Sequence, residues 1–271
     1  MRLVELSRSE HAGLRIRADR VEASAATQHL IPIVVSEFRK AAVQYPIVFA
    51  KNPETGRFGA YVLNGLGVEE NLFWSGTELD VAYVPLNVRR QPFYVGTNDA
   101  PPLGVPSLAP AGGSLADRSV AARSPDTPGS NVLCIDLDSP CLDGTGAKTI
   151  VNPDGSDSDY LKEVLSVLGE LVAGRRATEQ FIATVLSLDL LTPIMLDIVL
   201  DDGTPLQVTG LYSVDEEKLR QLAAGEVAKL WQSGCLDLIY TVLVASGQIF
   251  KLIRLKNQRI ALRRAWQSNA R

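Results

Sequence analysis

Histidine and cysteine are scarce in this chain of 271 residues, which limits the metal and redox chemistry that it can support. His11 and His29 are the two histidines, so a zinc site with three histidine ligands is excluded. The cysteines, Cys134, Cys141 and Cys235, are odd in number and form no C-x-x-C pair. That usage is typical of reduced, mostly buried side chains. We therefore predict no metal site and no disulfide framework.

Glycine-rich loops of the nucleotide-binding kind are also missing. The segment Gly144 to Thr149 lacks two glycines of the phosphate-loop pattern. Gly65-Leu66-Gly67 has Glu70 where a dinucleotide fingerprint needs its third glycine. A calcium-loop template over Asn152 to Glu163 has Asp157 where the loop needs glycine for its bend. We interpret these segments as turns and predict no cofactor.

The chain has neither a long charge-free apolar run nor an excess of positive charge. Its most apolar window, Leu236 to Ile253, contains Asp237 and Lys251, whereas a membrane span needs roughly 20 nearly charge-free residues. A formal net charge of -4 gives no general attraction for nucleic acid. The first residues contain no secretory apolar region. We expect a cytoplasmic protein with no transmembrane segment and no nucleic-acid partner.

The remaining composition is that of a folded protein, with 46% hydrophobic and 21% charged residues. Two hairpins are predicted. Tyr45 to Lys51 pairs with Arg57 to Leu63 across a turn that contains proline and glycine, and Ile194 to Leu200 pairs with Leu206 to Tyr212 across Asp-Asp-Gly. Shorter strands are predicted at Leu14 to Arg17, Ile31 to Val35 and Val132 to Leu137.

A long helix is predicted from Ser158 to Leu188, where apolar residues recur at helical spacing. Leu165 and Leu168 lie on the side that we expect to be buried, and a bend near Gly169 or Gly174 would fit the helix to a small domain. Strands, a long helix, a hairpin and further helices follow one another along the chain. This order predicts an α+β fold with a mostly antiparallel β-sheet, a long central helix and C-terminal helices.

Three helix starts are predicted from capping residues. Ser36 is the expected cap of a short helical turn that ends near Gln44. Either Asp157 or Ser158 is expected to cap the long helix. Ser213 to Glu216 fits a capping box at the start of a later helix.

The region from Thr97 to Asn131 has six prolines, four glycines and few large apolar residues. Such a segment buries too little surface to offset the entropy lost on ordering. We predict a single domain over residues 1–271, with a flexible insertion at 98–130 and a basic helical tail at 248–271. A functional lid is the alternative reading of the insertion.

Six segments, in the same order along the chain, carry a family resemblance. They are His29 to Trp74, Tyr83 to Pro85, Arg89 to Phe93, Leu133 to Pro140, Arg176 to Phe181 and Asp197 to Leu219. Together they resemble the SapC-like family of bacterial proteins. The resemblance implies a fold, an association with surface-layer naming, and genes that lie near those of outer-membrane receptors and halogenase-like flavoproteins. It attaches no reaction to these motifs.

Asp136 and Asp138 form the most suggestive polar pair. Residues two apart share one face of a strand, where two carboxylates can bind a cation or share a proton, and turn formation is the alternative role. Arg175 and Arg176 interrupt the apolar side of the long helix, and one of them would need a carboxylate such as Glu179 or Asp197, in a buried anion site or, alternatively, a structural ion pair. Asp136, Asp138, Arg176 and Glu179 are therefore the candidates for a ligand-binding or enzymatic site.

The C-terminal tail is basic, since no acidic residue follows Asp237. Among its cations, Arg259, Arg263 and Arg264 are the candidates for contacts with a partner. A basic amphipathic helix suits a protein, a nucleic acid or a membrane surface, and a tail packed on its own domain is the alternative.

No nucleophile and base pair, metal shell or cofactor loop is apparent, so we expect a non-enzymatic accessory or binding protein with a protein partner. The family resemblance links such a role to surface-layer or outer-membrane substrate handling. The alternative is an enzyme, or an enzyme subunit that acts with a flavin-dependent halogenase-like or hydroxylase partner.

Overall fold

The computed structural model describes residues 1–53, 55–96, 132–142 and 144–269. They form antiparallel sheets, one long helix and a set of C-terminal helices, so the predicted α+β class is confirmed. The predicted insertion at 98–130 lies outside the described residues.

The elements are numbered in chain order. The strands are β1 (Leu3–Glu5), β2 (Arg15–Ile16), β3 (Leu30–Pro32), β4 (Ile47–Lys51), β5 (Phe58–Leu63), β6 (Phe93–Gly96), β7 (Val132–Asp136), β8 (Lys148–Thr149), β9 (Leu191–Val199) and β10 (Pro205–Val214). The helices are α1 (Ala18–Ala23), α2 (Phe38–Ala41), α3 (Leu86–Arg89), α4 (Asp159–Ser187), α5 (Glu216–Arg220), α6 (Ala224–Gln232), α7 (Cys235–Ala245) and α8 (Ile249–Asn269).

The chain forms two compact units, each made of two separate stretches. Unit 1 comprises Met1–Ala25 and Leu86–Ala173, and unit 2 comprises Ala26–Pro85 and Gly174–Arg271. Helix α4 contributes its first half to unit 1 and its second half to unit 2. The single domain that the sequence suggested stays a prediction.

Unit 1 contains a three-stranded antiparallel sheet in the order β1-β7-β6 and a two-stranded pair of β2 and β8. Ile135 and Phe93, which face each other across β7 and β6, are fully buried. The segment Gly144 to Thr149 contributes β8. A Cβ atom at Gly146 would lie 2.6 Å from the Ile16 carbonyl carbon, so glycine is needed there for close approach of two backbones.

Unit 2 contains a five-stranded antiparallel sheet in the order β3-β5-β4-β10-β9. Both predicted hairpins are confirmed, as β4 pairs with β5 and β9 pairs with β10. Gly56 and Gly203 close the two turns with positive φ, as glycine allows. In this strand order β9 lies at one edge of the sheet, and its Met195 and Val199 side chains are exposed.

Helix α4 runs from Asp159 to Ser187 and is continuous through Gly169 and Gly174. Of the two leucines predicted to be buried, Leu168 is 3% exposed and Leu165 is only half-buried. Val164 and Val167 complete the buried side instead. The apolar residues of α4 thus cover a wider side of the helix than the side that is buried in the structure.

Gly174 lies where α4 passes close to the turn that follows β3. A Cβ atom at this position would lie 2.7 Å from Val34 Cγ2, whereas nothing lies within 4 Å of one at Gly169. The Thr178 hydroxyl, one helical turn later, accepts a hydrogen bond from the Val35 backbone N–H at 3.0 Å. Glycine is required here by packing and not by backbone conformation.

We expect Gly174→Ala and Gly169→Ala to change stability in opposite directions. Alanine is favoured over glycine within a helix by about 0.8–1 kcal/mol, so Gly169→Ala should be stabilising. At Gly174 the clash with Val34 should outweigh that gain, because overpacking costs about 1–3 kcal/mol. Denaturant midpoints measure both effects. Equal upward shifts would show that Val34 moves aside without cost.

Helix starts differ from the predictions in two of three cases. Ser158 caps α4 as expected, because its hydroxyl oxygen accepts a hydrogen bond from the Leu161 N–H. Ser36 does not cap α2, since the Glu37 carboxylate binds the Val34 N–H at the start of that turn. The capping box predicted from Ser213 is also wrong. Strand β10 continues through that residue, and Asp215 caps α5.

Helices α7 and α8 are joined by the 3-10 turn Ser246–Gln248. Together they form the C-terminal segment, Cys235–Ser268. By length and composition it is the one helical stretch within the described residues that is long and apolar enough to cross a membrane. Only 22% of its most apolar 18-residue window is buried.

Candidate functional site

Asp136 and Asp138 lie at the end of β7, where the structure gives them roles in holding the chain. The Asp136 Oδ1 atom accepts hydrogen bonds from the backbone N–H groups of Arg2 (2.8 Å) and Asp138 (3.1 Å). The exposed Asp138 carboxylate lies 3.3 Å from the amino group of Met1. These contacts hold the register of β1 against β7. They favour the turn interpretation over a cation site.

Arg176 and Glu179 lie on α4 in unit 2, whereas Asp136 and Asp138 belong to unit 1. Arg176 is exposed, and it is Arg175 that forms an ion pair with Glu179, at 3.0 Å, which agrees with the structural ion pair considered for these arginines. This pair is largely solvated, so it contributes well below 1 kcal/mol to stability.

Asp197, the other carboxylate considered for Arg176, accepts a hydrogen bond from Gln207. Asp136 and Asp138 are therefore engaged with neighbours in unit 1, and Glu179 with a neighbour in unit 2. A site that combines all four residues stays a prediction.

Two buried charged residues went unnoticed in the sequence, and the first is Arg90. Its Nη1 atom donates to the Phe93 carbonyl oxygen at 2.7 Å and its Nε atom donates to Asn87 at 2.9 Å. The guanidinium also lies 4.1 Å from the centre of the Tyr94 ring. Burial lowers the pKa of Arg90. The signal in the sequence is its position, since Arg90 lies within Arg89 to Phe93, one of the segments that carry the family resemblance.

The second is Glu37, which is fully buried. One carboxylate oxygen accepts the Val34 N–H and the other accepts the Tyr83 hydroxyl, both at 2.9 Å. Tyr83 belongs to the Tyr-Val-Pro motif, so this hydrogen bond connects two of the segments that carry the family resemblance. The contact is structural, because both oxygens are bound to fixed donors of unit 2.

The turn between β5 and Trp74 is built by close backbone approach. A Cβ atom at Gly65 would lie 2.1 Å from the Glu70 carbonyl oxygen. The Glu70 carboxylate accepts the Leu66 N–H at 3.2 Å and binds Lys256 Nζ at 2.7 Å. Both members of the ion pair are mostly buried, with side chains 15% and 23% exposed. This ion pair ties α8 to the turn.

The three tail arginines that the sequence singled out have different surroundings. Arg259 donates to the Trp74 carbonyl oxygen, and burial lowers its pKa. Arg264 binds Asp202 of the β9–β10 turn at 3.1 Å. Arg263 is exposed and forms no ion pair with any described residue. The tail is therefore partly packed on its own unit.

Helix α8 departs from the simple amphipathic pattern that the sequence suggested. Its packed side carries Leu252 together with Lys256 and Arg259, whereas Phe250 is 77% exposed. Charged side chains are accommodated on the packed side because they reach Glu70 and the Trp74 carbonyl. The apolar residues are consequently spread around the helix.

Two shallow depressions lie in unit 2. One, of about 260 Å³, is lined by Gln44, Phe73, Asp80 and Lys251 among others. The second, of about 360 Å³, runs along α8. No group of three or more potential metal ligands occurs in the described part of the chain.

A family model described as SapC matches residues 6–252. The chain belongs to the SapC family. No curated protein and no solved structure matched the chain. The SapC match ends at Leu252, so most of α8, including Arg254 and Arg263, lies beyond it.

The shared SapC segments account mainly for the scaffold. Their buried polar residues, Glu37 and Arg90, bind backbone groups, and their Gly65 permits a tight turn. Phe181, from the Arg-Ala-Thr-Glu-Gln-Phe segment, packs against Phe38 in unit 2. These four residues of the matched region thus have structural functions.

Proposed function

We propose that this SapC-family protein is a non-enzymatic accessory or binding protein. The principal support is the arrangement of its polar residues. Asp136, Glu37 and Arg90 bind backbone groups, and Glu179 binds a neighbouring arginine. A nucleophile would need an adjacent base to be activated, and an acid or base would need a cleft. Binding is therefore favoured over catalysis.

The end of α8 is the surface that we assign to a protein partner. Residues 261–268 are all exposed, including Leu262 at 61% and Trp266 at 77%. Aromatic residues and arginine are enriched in the energetically important centres of interfaces. A helix that presents Leu262, Arg263 and Trp266 is suited to a groove on another protein. We name residues 261–268 the helix end.

We propose that the partner belongs to the handling of a surface-layer or outer-membrane substrate, in keeping with the SapC membership. The protein would act from the cytoplasm. Formal charge supports an acidic groove on that partner, since the exposed Arg263 forms no ion pair with a described residue and residues 261–268 contain no carboxylate.

Crosslinking in native cells, followed by affinity capture and mass spectrometry, tests the role of the helix end. The double variant Leu262→Glu, Trp266→Glu should lower recovery of a specific partner at least tenfold, because it places charge in the interface. Leu186→Glu is the matched control, as Leu186 is an exposed leucine on α4. Equal recovery of the same proteins by all three forms would contradict the proposal.

A further inference from the structure

The outward side of the C-terminal segment is a long exposed surface. The exposed residues recur every three or four positions, which places them along one side of the helix. They are Tyr240, Val244, Gly247, Phe250, Arg254, Gln258 and Ala261. We name this set the outward stripe. At 1.5 Å rise per residue, its 22 positions extend over roughly 30 Å.

Large apolar groups dominate the first half of the outward stripe. Tyr240 is 51% exposed, Val244 is 74% exposed and Phe250 is 77% exposed. Isolated exposed apolar residues are common, but a row of them on one helix marks a surface that is covered in use. The opposite side of the segment is already packed, since Ile239, Val242 and Leu252 are fully buried. The exposed row is thus a second, separate surface.

Positive charge surrounds the second half of the outward stripe. Arg254 is exposed within it and forms no ion pair with a described residue. Residues 238–269 contain six lysines and arginines and no acidic residue. Lys256 and Arg264 are neutralised by Glu70 and Asp202. Of the other four, Arg259 lies on the packed side and Lys251 lies over the Phe73 ring. Arg254 and Arg263 are therefore the exposed cations, beside one carboxylate, Asp201, in the groove with Phe250 and Arg254.

We propose that the outward stripe binds an anionic lipid bilayer surface. Charge complementarity selects this occupant, because the exposed side combines aromatic and aliphatic groups with arginine and has no carboxylate of its own. Such a composition is that of interfacial helices, whose apolar side chains enter the acyl boundary while cations contact lipid headgroups. Tyrosine and tryptophan are also favoured at that depth.

The segment lies on the bilayer and does not cross it. A span over the most apolar window, Leu236 to Ile253, would carry Asp237, which pairs with Arg39, and Lys251, which lies over the Phe73 ring, into the hydrocarbon, where charged groups are costly. It would also require Ile239, Val242 and Leu252 to leave the core of unit 2. A peripheral helix keeps both sets of contacts. The outward stripe adjoins the helix end at Ala261, whereas Val244, Phe250 and Arg254 lie outside the helix end, so each surface can be tested with its own variants.

Sedimentation of the full chain with lipid vesicles tests this inference. The anionic vesicles contain phosphatidylcholine with about 30% phosphatidylglycerol, and the neutral vesicles contain phosphatidylcholine alone. The wild type should bind the anionic vesicles at least about tenfold more strongly than the neutral ones. Added salt should weaken the binding, since exposed charges are screened. Arg254→Gln should lower the partition coefficient about fivefold, as one cation near an anionic surface contributes roughly that factor.

Val244→Asp and Val199→Asp form a matched pair, because both valines are 74% exposed and both belong to unit 2. Val244→Asp should reduce vesicle binding at least tenfold, whereas Val199→Asp, on β9, should leave it within about twofold. Circular dichroism and thermal unfolding of both variants establish that the fold is intact.

Three results would overturn the inference. They are equal binding of the wild type to neutral and anionic vesicles, no binding to either, and equal loss of binding in the two valine variants. Sedimentation velocity tests whether a second copy of the chain binds the outward stripe instead of a lipid surface. A wild-type dimer that Val244→Asp converts to a monomer, with vesicle binding unchanged, would also contradict the inference. Retention in the membrane after an alkaline carbonate wash would indicate a span and refute a peripheral helix.

Discussion

Phe181→Ala should lower the free energy of unfolding by about 3–5 kcal/mol, the range for removing a buried phenylalanine. Phe181 is 2% exposed, and its ring centre lies 5.8 Å from Phe38 in an edge-to-face arrangement and 6.2 Å from Phe49. Truncation removes both ring contacts and leaves a cavity between α4 and strand β4. Urea unfolding followed by circular dichroism measures the loss.

Leu186→Ala is the control for that measurement, since Leu186 lies on the same helix and is 43% exposed. Its cost should stay below about 1 kcal/mol, because most of its surface remains in water. Equal midpoints for the two variants would mean that the second half of α4 does not use Phe181 to pack on the sheet of unit 2.

Gly65→Ala should cost about 3 kcal/mol or more, at the upper end of overpacking effects. The added Cβ atom would lie 2.1 Å from the Glu70 carbonyl oxygen, which is a backbone atom and has no rotamer through which to escape. The turn must open, which displaces Glu70 from Lys256 and loosens the attachment of α8. Thermal unfolding and hydrogen exchange of α8 report both consequences.

Gly67→Ala provides the comparison within the same turn. The nearest atom to its added Cβ would be a flexible carboxylate oxygen of Glu70 at 3.8 Å, an ordinary contact distance. Its effect should therefore stay within about 0.5 kcal/mol, as for substitutions that meet no special feature. A similar loss in both variants would assign the effect to chain flexibility and not to the contact with Glu70.

The Gly65 prediction also explains why the glycine pattern misleads as a nucleotide motif. Gly65 and Gly67 resemble part of a dinucleotide-binding fingerprint only when sequence spacing is considered alone. In the structure the first glycine permits two stretches of one turn to touch, and Glu70 occupies the position where a third glycine would be required. Glycine needed for packing and glycine needed for a ligand have the same appearance in a sequence.

The proposed binding roles of the helix end and the outward stripe can fail independently. Variants at Leu262 and Trp266 test partner recovery, whereas variants at Val244 and Arg254 test the lipid surface. A protein that uses both would be a peripheral membrane accessory protein, which is compatible with the role proposed above. Loss of one activity alone would show which surface matters.

Local rules predicted the elements that depend on neighbouring residues. The two hairpins of unit 2 were predictable because glycine at the turns and alternating β-branched residues determine strand pairing over short distances. Ser158 was predictable as a cap because its hydroxyl binds a residue only three positions away. The scarcity of histidine and cysteine likewise limited metal chemistry before any fold was known.

The tertiary structure decided the features that depend on distant residues. Glu37, and not Ser36, binds the backbone at the start of the turn that leads into α2. The second carboxylate oxygen of Glu37 accepts a hydrogen bond from the hydroxyl of Tyr83, which lies 46 positions away in the sequence. Lys256 is buried because Glu70 reaches it from another part of unit 2, and no periodicity could have indicated that. The sequence by itself determined the α+β class, the hairpins and the SapC resemblance, since these follow from local pattern. Which side of the C-terminal helices remains exposed was decided by packing alone, because burial depends on contacts formed across the whole unit.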